Sequence, residues 1–368
     1  MIAGMSPLQT VHEEAGARMT DFAGWQMPLR FSSDRAEHEA VRTRAGVFDL
    51  SHMAQIEVNG PQAGEVVDYS FVGPPSTLSI GRARYTMMVD TEGGILDDLI
   101  VYRLAPEDYL IIANAANHQV VLDELTRRSN GYSAAVDDRG DSRALIALQG
   151  PSSREVLSEL TDADLSALKN FACTSCTVAG VPVLLARTGY TGEDGFELSL
   201  PASSATRLWH RLLQAGEPAG VVPCGLACRD SLRLEAGMAL YGNELTRQIT
   251  PADVGMGRLV HTDHEFVGRQ ALTERGADGP QYYLVGLQGS GRRAARSGYP
   301  VLHEGEEIGH VTSGMLSPTL GYPIALTRLT RPLPEGTEVQ VDIRGTATPM
   351  SVTPVPFYRR PKPSNARN

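Results

Sequence analysis

Thr91-Glu-Gly-Gly-Ile-Leu-Asp-Asp-Leu-Ile-Val-Tyr102 sets two adjacent carboxylates into an apolar run directly behind a Gly-Gly pair. Gly93-Gly94 suits a tight hairpin turn, so the run after it reads as a strand returning antiparallel. Side chains alternate along a strand, which places Leu96, Asp98, Ile100 and Tyr102 on one face and Ile95, Asp97, Leu99 and Val101 on the other. Each face then buries or half-buries one Asp. A carboxylate among apolar neighbours needs hydrogen-bond donors or a raised pKa, and either condition suits proton handling. Periodicity does not choose between Asp97 and Asp98; the plain alternative is a turn cap or a partner for an Arg.

Outward from this hairpin the same alternation recurs at Gln55–Asn59, Arg84–Asp90, Tyr109–Ala113, Pro182–Ala186, Phe196–Leu200 and Tyr282–Leu287. Helical patterns are few: one N-capped by Asp34 with Glu37 three residues on and stopping at Gly46, then Gln119–Arg128, Ser152–Leu160 with a Ser152/Glu155 capping box, Ser204–Ala215, and Cys224–Ala236 ending at Gly237. The mixture predicts an α+β fold of mostly antiparallel sheets. After about residue 243 the helical signal fades, and the short strands of Tyr299–Phe357, broken at Glu304-Gly305, Pro334-Glu335-Gly336 and Arg344-Gly345, predict a separate all-β module. The tail from Arg359 is polar and is expected to fray.

The chain has 368 residues, 42% hydrophobic and 21% charged, which is the composition of a soluble globular protein with a large core. Its formal charge of -10 argues against nucleic acid or an anionic membrane as the main partner. No run of about 18 apolar residues occurs and the N-terminus lacks a signal-peptide pattern, so a cytoplasmic location is expected.

Two motifs resemble sites without their context. Cys173-Thr-Ser-Cys176 with Cys224 and Cys228 has the outline of a four-thiolate zinc site, but the first pair reads as strand and the second opens a helix; small buried side chains are the better reading. Gly289-Ser-Gly-Arg-Arg-Ala294 follows a strand in the manner of a dinucleotide fingerprint, yet Arg296-Ser-Gly-Tyr-Pro300 replaces the helix that would face a pyrophosphate. His52, without a nucleophile or acidic orienter beside it, reads as a hydrogen-bonded structural residue.

Arg187-Thr-Gly-Tyr-Thr-Gly-Glu-Asp-Gly-Phe-Glu-Leu198 is more informative. Phe196, Leu198 and Leu200 share a core face, which turns Glu197 the other way. In solvent it would be an ordinary surface residue; lining a cleft, its planar carboxylate would accept paired hydrogen bonds from a ring N–H and an exocyclic amine, as a pterin or purine offers. Arg229 and Arg233, one helical turn apart, could meet an anionic or carbonyl-rich ligand, surface ion pairing being the bland alternative.

Taken together, Asp-Phe-Ala-Gly-Trp at 21–25, Phe-Asp-Leu-Ser-His-Met at 48–53, Gly-Gly-Ile-Leu-Asp-Asp-Leu-Ile-Val at 93–101, Leu-Gln-Gly-Pro at 148–151, the Arg187–Glu197 block, Cys-Arg-Asp-Ser-Leu-Arg-Leu-Glu-Ala-Gly at 228–237, Thr-Ser-Gly-Met-Leu-Ser-Pro-Thr-Leu-Gly at 312–321 and Pro-Phe-Tyr-Arg at 356–359 resemble the T-protein (aminomethyltransferase) family of the glycine cleavage system. The likeness runs in order along almost the whole chain. It implies a three-domain cloverleaf around a central folate channel: residues 1–53 with 140–243 as the first domain, 54–139 inserted in it, a barrel-like or jelly-roll-like module over 244–360, and a frayed tail at 361–368.

The resemblance further implies transfer of an aminomethyl carbon from the dihydrolipoyl sulfur of a lipoylated H-protein to tetrahydrofolate, releasing ammonia and 5,10-methylenetetrahydrofolate, with no metal, flavin or pyridoxal phosphate. In that family the second Asp of the pair is catalytic, which assigns Asp98. Glu197 and Arg229 match the family's folate-contacting acid and base; Tyr85, Tyr102 and Tyr190 match aromatic positions lining the pocket; Met53, Asn114 and Arg359 complete the set. Two departures stand out: Asn170 occupies a position where relatives commonly place a pocket aromatic, and the tail after Phe357 aligns poorly, which bears on Arg359. The same fold serves folate-dependent demethylases, distinguished by turnover without a lipoyl carrier, and non-enzymatic folate-binding relatives, which carry a Lys-Gly-Cys-Tyr-type block that this sequence lacks.

Overall fold

A computed structural model describes residues 4–277 and 279–361. Its centre is a five-stranded antiparallel sheet in the order Arg82–Val89, Ile95–Ala105, Asp108–Ala113, Ala54–Asn59 and Ala135–Asp138. The first two strands are the arms of the Gly93-Gly94 hairpin, and Gly93 adopts the left-handed φ of 81° that its turn requires. The sheet's inner face packs Val58, Val66, Phe71, Leu99, Val101 and Tyr109 into one buried cluster with the helices Ala63–Ser70 and His118–Arg128.

The strict alternation expected along Ile95–Tyr102 does not hold at its start. Met88 pairs with Asp97 but Val89 pairs with Ile95, leaving Leu96 as the extra residue of a β-bulge. Leu96 therefore joins Leu99 and Val101 in one cluster, whereas Ile95 joins a different one with Met87 and Leu245.

A six-stranded sheet runs Cys173–Val178, Val181–Ala186, Gly195–Pro201, Arg143–Gln149, Gly46–Asp49 and Val222–Cys224, antiparallel except for the last pair. Phe196, Leu198 and Leu200 are completely buried against Trp209 and Leu212 of the helix Ala205–Gly216. Burying side chains of this size stabilises the fold by about 1.5–3 kcal/mol each. Glu197 faces the other way, between Ala147 and Ala186 on the neighbouring strands, whose small side chains leave room for its carboxyl.

The C-terminal strands close into a six-stranded barrel: Tyr283–Gly289, Pro323–Leu329, Glu306–Leu316, Pro300–His303, Glu338–Asp342 and Ala347–Thr353. Closure removes the unpaired edges that short strands would otherwise expose.

Several local expectations need correction. Ser33, not Asp34, caps the helix Asp34–Thr43, accepting a hydrogen bond from Ala36 N at 3.2 Å. Glu37 is buried and turned back to accept from Phe31 N, Ser32 N and Gly225 N. The Ser152/Glu155 box does not form: the helix is Ser153–Ser158 and Ser152 makes no side-chain cap. The last long helix starts at Leu226, with Cys224 on the preceding strand. A further helix, Arg269–Ala277, lies where the helical signal faded; it buries none of its residues, so it has no apolar stripe to betray it. The expected frayed tail lies, from residue 362 on, outside the described residues.

Candidate functional site

The hairpin sheet and the six-stranded sheet face each other across a cavity of about 330 Å³. Leu50, Met53, Ile100, Ile112 and Met238 supply apolar wall, Tyr85, Phe171, Tyr190 and Tyr241 supply rings, and Asp98, Asn114, Glu197 and Arg229 supply the polar groups. An apolar cleft with few convergent polar groups is the usual form of a small-molecule site.

At one end stands the carboxylate pair. Tyr85 lies diagonal to Asp98 on the adjacent strand and its hydroxyl donates to Asp98 Oδ2 at 3.0 Å. Asn114 directly follows the strand Asp108–Ala113, where its backbone N–H is free of the sheet. That N–H donates to Asp97 Oδ2 at 2.9 Å, and its side-chain amide reaches Asp97 Oδ1 at 2.9 Å, Asp98 Oδ1 at 3.0 Å and Asp98 O at 2.9 Å. Asn117 Nδ2 donates to Asp97 Oδ1 as well. Thus one asparagine ties together two carboxyls that strand alternation points apart. Burial raises Asp98 to about 6; at Asp97 burial and the charge of Asp98 push upward against the hydrogen bonds of Asn114 and Asn117, which favour the carboxylate. Such a pair binds or releases a proton near neutral pH.

Toward the other wall, Glu197 is 9% exposed. Thr188 Oγ1 donates to its Oε2, while Oε1 accepts no hydrogen bond among the described residues. Burial raises the Glu197 pKa, partly offset by Thr188 and Arg229. The Arg229 guanidinium sits 4.8 Å over the Tyr190 ring, and Tyr190 is itself anchored by its hydroxyl to Ala239 O. Here Arg229 has no carboxylate within ion-pair distance among the described residues, so its donors remain available.

Seven of the residues named from the sequence line the cavity: Met53, Tyr85, Asp98, Asn114, Tyr190, Glu197 and Arg229. Tyr102 does not. It is buried behind the wall, its hydroxyl 3.2 Å from Thr188 Oγ1, and so supports the threonine that holds Glu197. Arg359 is exposed and off the cavity; its neighbour Arg360 approaches Asp194 at 3.6 Å. Arg233, one turn from Arg229, is committed to Glu244 at 3.1 Å, Asp230 at 2.8 Å and Ser313 at 2.9 Å.

The aromatic ring missing at Asn170 is supplied by the next residue. Phe171 adopts a left-handed φ of 55° and lines the cavity while remaining 40% exposed. Tyr241, Met256 and Phe171 had no signal in the sequence pattern, since each sits on a loop whose path is set by tertiary contacts. His52 makes no hydrogen bond among the described residues; burial and the nearby Arg229 lower its pKa to about 4, and it packs edge-on to Phe22 instead.

The cysteines are free thiols. Cys224, Cys228 and Glu37 bring their donor atoms within 4.8 Å of one another, but both Glu37 oxygens already accept backbone N–H groups. No helix of the described residues is long and apolar enough to cross a membrane.

Comparison with known proteins covers nearly the whole chain. The GCVT N-terminal domain matches residues 8–264 and the glycine cleavage T-protein C-terminal barrel domain matches residues 283–359. The chain is 58% identical over 364 residues to an aminomethyltransferase of Streptomyces coelicolor, covering 96% of this chain and 97% of that one. It is 56% identical over 362 residues to the corresponding protein of Streptomyces avermitilis, covering 96% and 97%. The crystal structure of glycine cleavage system aminomethyltransferase T from Bartonella henselae superposes with a TM-score of 0.90 at 38% identity, covering 97% of this chain and 98% of that one.

Proposed function

The chain belongs to the glycine cleavage T-protein family and is an aminomethyltransferase, and from that premise we propose that the cavity around Asp98 is where an aminomethyl carbon passes from the dihydrolipoyl sulfur of a lipoylated H-protein to tetrahydrofolate. The observation that carries this reading is the pairing, within one apolar cavity, of a proton-exchanging carboxyl at Asp98 with a nearly buried acceptor at Glu197.

The residues fit the folate. A buried carboxylate whose Oε1 lacks a donor calls for an N–H-bearing ring, which a pterin supplies, and the free guanidinium of Arg229 suits a carbonyl or carboxylate. Tyr85, Tyr190 and Phe171 offer faces for a flat heterocycle. Tetrahydrofolate supplies two N–H groups that become bonds to the transferred carbon. Their two protons must leave, while the sulfur and the departing ammonia each gain one.

Asp98 is placed for that exchange. In its ionised form it accepts a proton from a reacting N–H and stabilises the positive charge that develops there; near its pKa of about 6 it can return the proton to a leaving group. Tyr85 and Asn114 fix the carboxyl plane, so little reorganisation is needed at the moment of transfer. The aliphatic and sulfur side chains of Met53, Ile112 and Met238 limit water around the reacting carbon.

We read the domains as residues 1–53 with 140–243, an inserted 54–139, and 244–360. Sheet membership supports this: Gly46–Asp49 pairs with Arg143–Gln149, while the strands between them form a sheet of their own. Four free thiols suit a reducing compartment, in keeping with reaction in the cytoplasm.

The test is to load an H-protein with the aminomethyl intermediate and measure ammonia release with and without tetrahydrofolate. Release that depends on both this protein and folate is expected. Release independent of either defeats the assignment.

A further inference from the structure

Asp97 has no surface in the cavity, yet its surroundings are more specialised than those of the catalytic candidate beside it. The side chain is fully buried and receives three N–H donors: Asn114 N at 2.9 Å, Asn114 Nδ2 at 2.9 Å and Asn117 Nδ2. None of these groups can accept a proton's hydrogen bond, so the protonated form of Asp97 would turn a hydroxyl against donors. Asp98 differs. Its Oδ2 meets the Tyr85 hydroxyl, which can donate or accept by rotation, so either protonation state is satisfied there.

Two adjacent carboxyls sharing one asparagine amide cannot both ionise freely in a buried site. Burial and the charge of Asp98 push Asp97 toward its neutral form, but its three N–H donors serve only the carboxylate, whereas Tyr85 serves either form of Asp98, and this donor pattern decides which of them holds the charge. The remaining groups facing Asp98 do not supply a competing cation: they are Tyr85 from the adjacent strand, Tyr190 from the loop after Val181–Ala186, and Tyr241 and Glu244 from the segment after the helix Leu226–Glu235. Arg233, which approaches from that helix, is spent on Glu244 and Asp230.

We propose that Asp97 is a positioning residue for the transfer: a carboxylate fixed by Asn114 and Asn117 whose buried negative charge keeps the exchangeable proton on Asp98. This rests on the reading of Asp98 as the proton-exchanging group. It assigns Asn117 a part in the reaction although it touches no cavity, and it makes the two consecutive acids a functional unit with unequal roles. The fixed charge strengthens Asp98 as a base by opposing its ionisation, and it never itself changes protonation during turnover.

The experiment follows the carboxyl carbons of the enzyme labelled at aspartate by NMR through the acid and neutral range, with signals assigned by Asp97→Asn and Asp98→Asn. In the unmodified enzyme the Asp98 signal should titrate while Asp97 keeps the shift of an ionised carboxylate over the same interval. A titrating Asp97 beside a static Asp98 overturns the proposal, and this reading needs no variant to be active. In Asp97→Asn, the midpoint of Asp98 and the acid limb of kcat/KM should both move down by at least about one pH unit, because a like charge has been removed. A loss of rate with an unshifted limb would mean that Asp97 serves packing alone. Full turnover in Asp98→Asn would instead sink the assignment of Asp98 itself, an outcome read separately from the titration of the pair.

Discussion

Two buried acid centres in this molecule reach opposite electrostatic ends. At Asp98 burial wins, and the carboxyl titrates well above its ordinary range. At Glu235 burial also pushes the pKa up, but His38, Ser317 and Arg42 outweigh it and hold the carboxyl at about 2. Glu235 Oε2 takes Arg42 Nη2 at 2.9 Å, His38 Nε2 at 3.1 Å and Thr319 Oγ1 at 2.8 Å, and Oε1 takes Thr319 N at 3.0 Å. The difference is the presence of cations. Around Asp98 the donors are neutral amides and a phenol, which orient a carboxyl without committing it to the charged state. Around Glu235 a guanidinium completes the set, and the ion becomes a fixed joint between the helices Asp34–Thr43 and Leu226–Glu235 and the barrel loop at Ser317–Thr319. One centre is built to exchange a proton and the other to keep a charge.

The sharpest break in this contrast comes from Asp98→Asn. Aminomethyl transfer should fall by about 10²–10⁴-fold, the range for loss of a positioned acid–base group, while tetrahydrofolate affinity by calorimetry changes little. Strong loss of binding would make Asp98 mainly a ligand contact. The companion experiment at the fixed joint is Glu235→Ala, which takes the shared acceptor from His38, Ser317 and Thr319 and leaves the buried Arg42 with Glu193 as its one carboxylate. It should cost about 3–5 kcal/mol in denaturant unfolding, and a loss below about 1 kcal/mol would show that the joint bears no load.

The same joint has a signed pH signature. Because the folded-state pKa of Glu235 is depressed from 4.5 to about 2, its contribution is present above the unfolded value and disappears as pH falls through the folded one. Acid unfolding of Glu235→Gln should therefore show a shallower slope in that window. At the cavity the pKa shift has the opposite sign, so the loss on acidification comes at higher pH: kcat/KM should decline as pH drops below about 6, where Asp98 becomes protonated.

Removing the charge of Glu197 should raise KM for tetrahydrofolate by about 10–100-fold, as expected for one hydrogen bond to a charged group, with a smaller change in kcat. A selective fall in kcat would place Glu197 in the chemistry. The smallest effect is expected at the start of the helix that delivers His38 and Arg42. Ser33→Ala should cost about 1 kcal/mol and Asp34→Ala distinctly less, measured by thermal unfolding, since Ser33 supplies the cap.

Much of the molecule is legible in its residues. The turn at Gly93-Gly94, the inward Phe196, Leu198 and Leu200, and the outward Glu197 follow from local geometry alone. Likewise the short strands after Tyr299 announce an all-β module, whose closure into a barrel came from the family resemblance and not from the strand pattern. What escaped was set by distant contacts. Tyr102 has the right parity for the cavity face, but Thr188 meets its hydroxyl first and the ring stays in the wall. Arg233 has the same helical phase as Arg229, yet Glu244, eleven residues on in the chain, captures it. Asn170 suggested a lost aromatic because a left-handed backbone at Phe171 is not written in residue type. The exposed helix Arg269–Ala277 lacks the apolar stripe by which helices are read.

The bulge at Leu96 governs the reading frame of the Gly93-Gly94 hairpin. Upstream of it, Ile95 is gripped by the segment after the long helix: its N–H bonds Ile249 O, and Tyr241 donates to its carbonyl. Downstream, Asp97 and Asp98 are gripped by Asn114. Leu96 is the spacer that lets both grips close at once. Without it, a strand locked at Ile95 would present each acid to the opposite side, exchanging the sealed carboxylate with the open one. Which of the two acids faces the cavity is therefore a matter of counting as much as of chemistry, and a single-residue slip would leave every functional group present but address it to the wrong compartment.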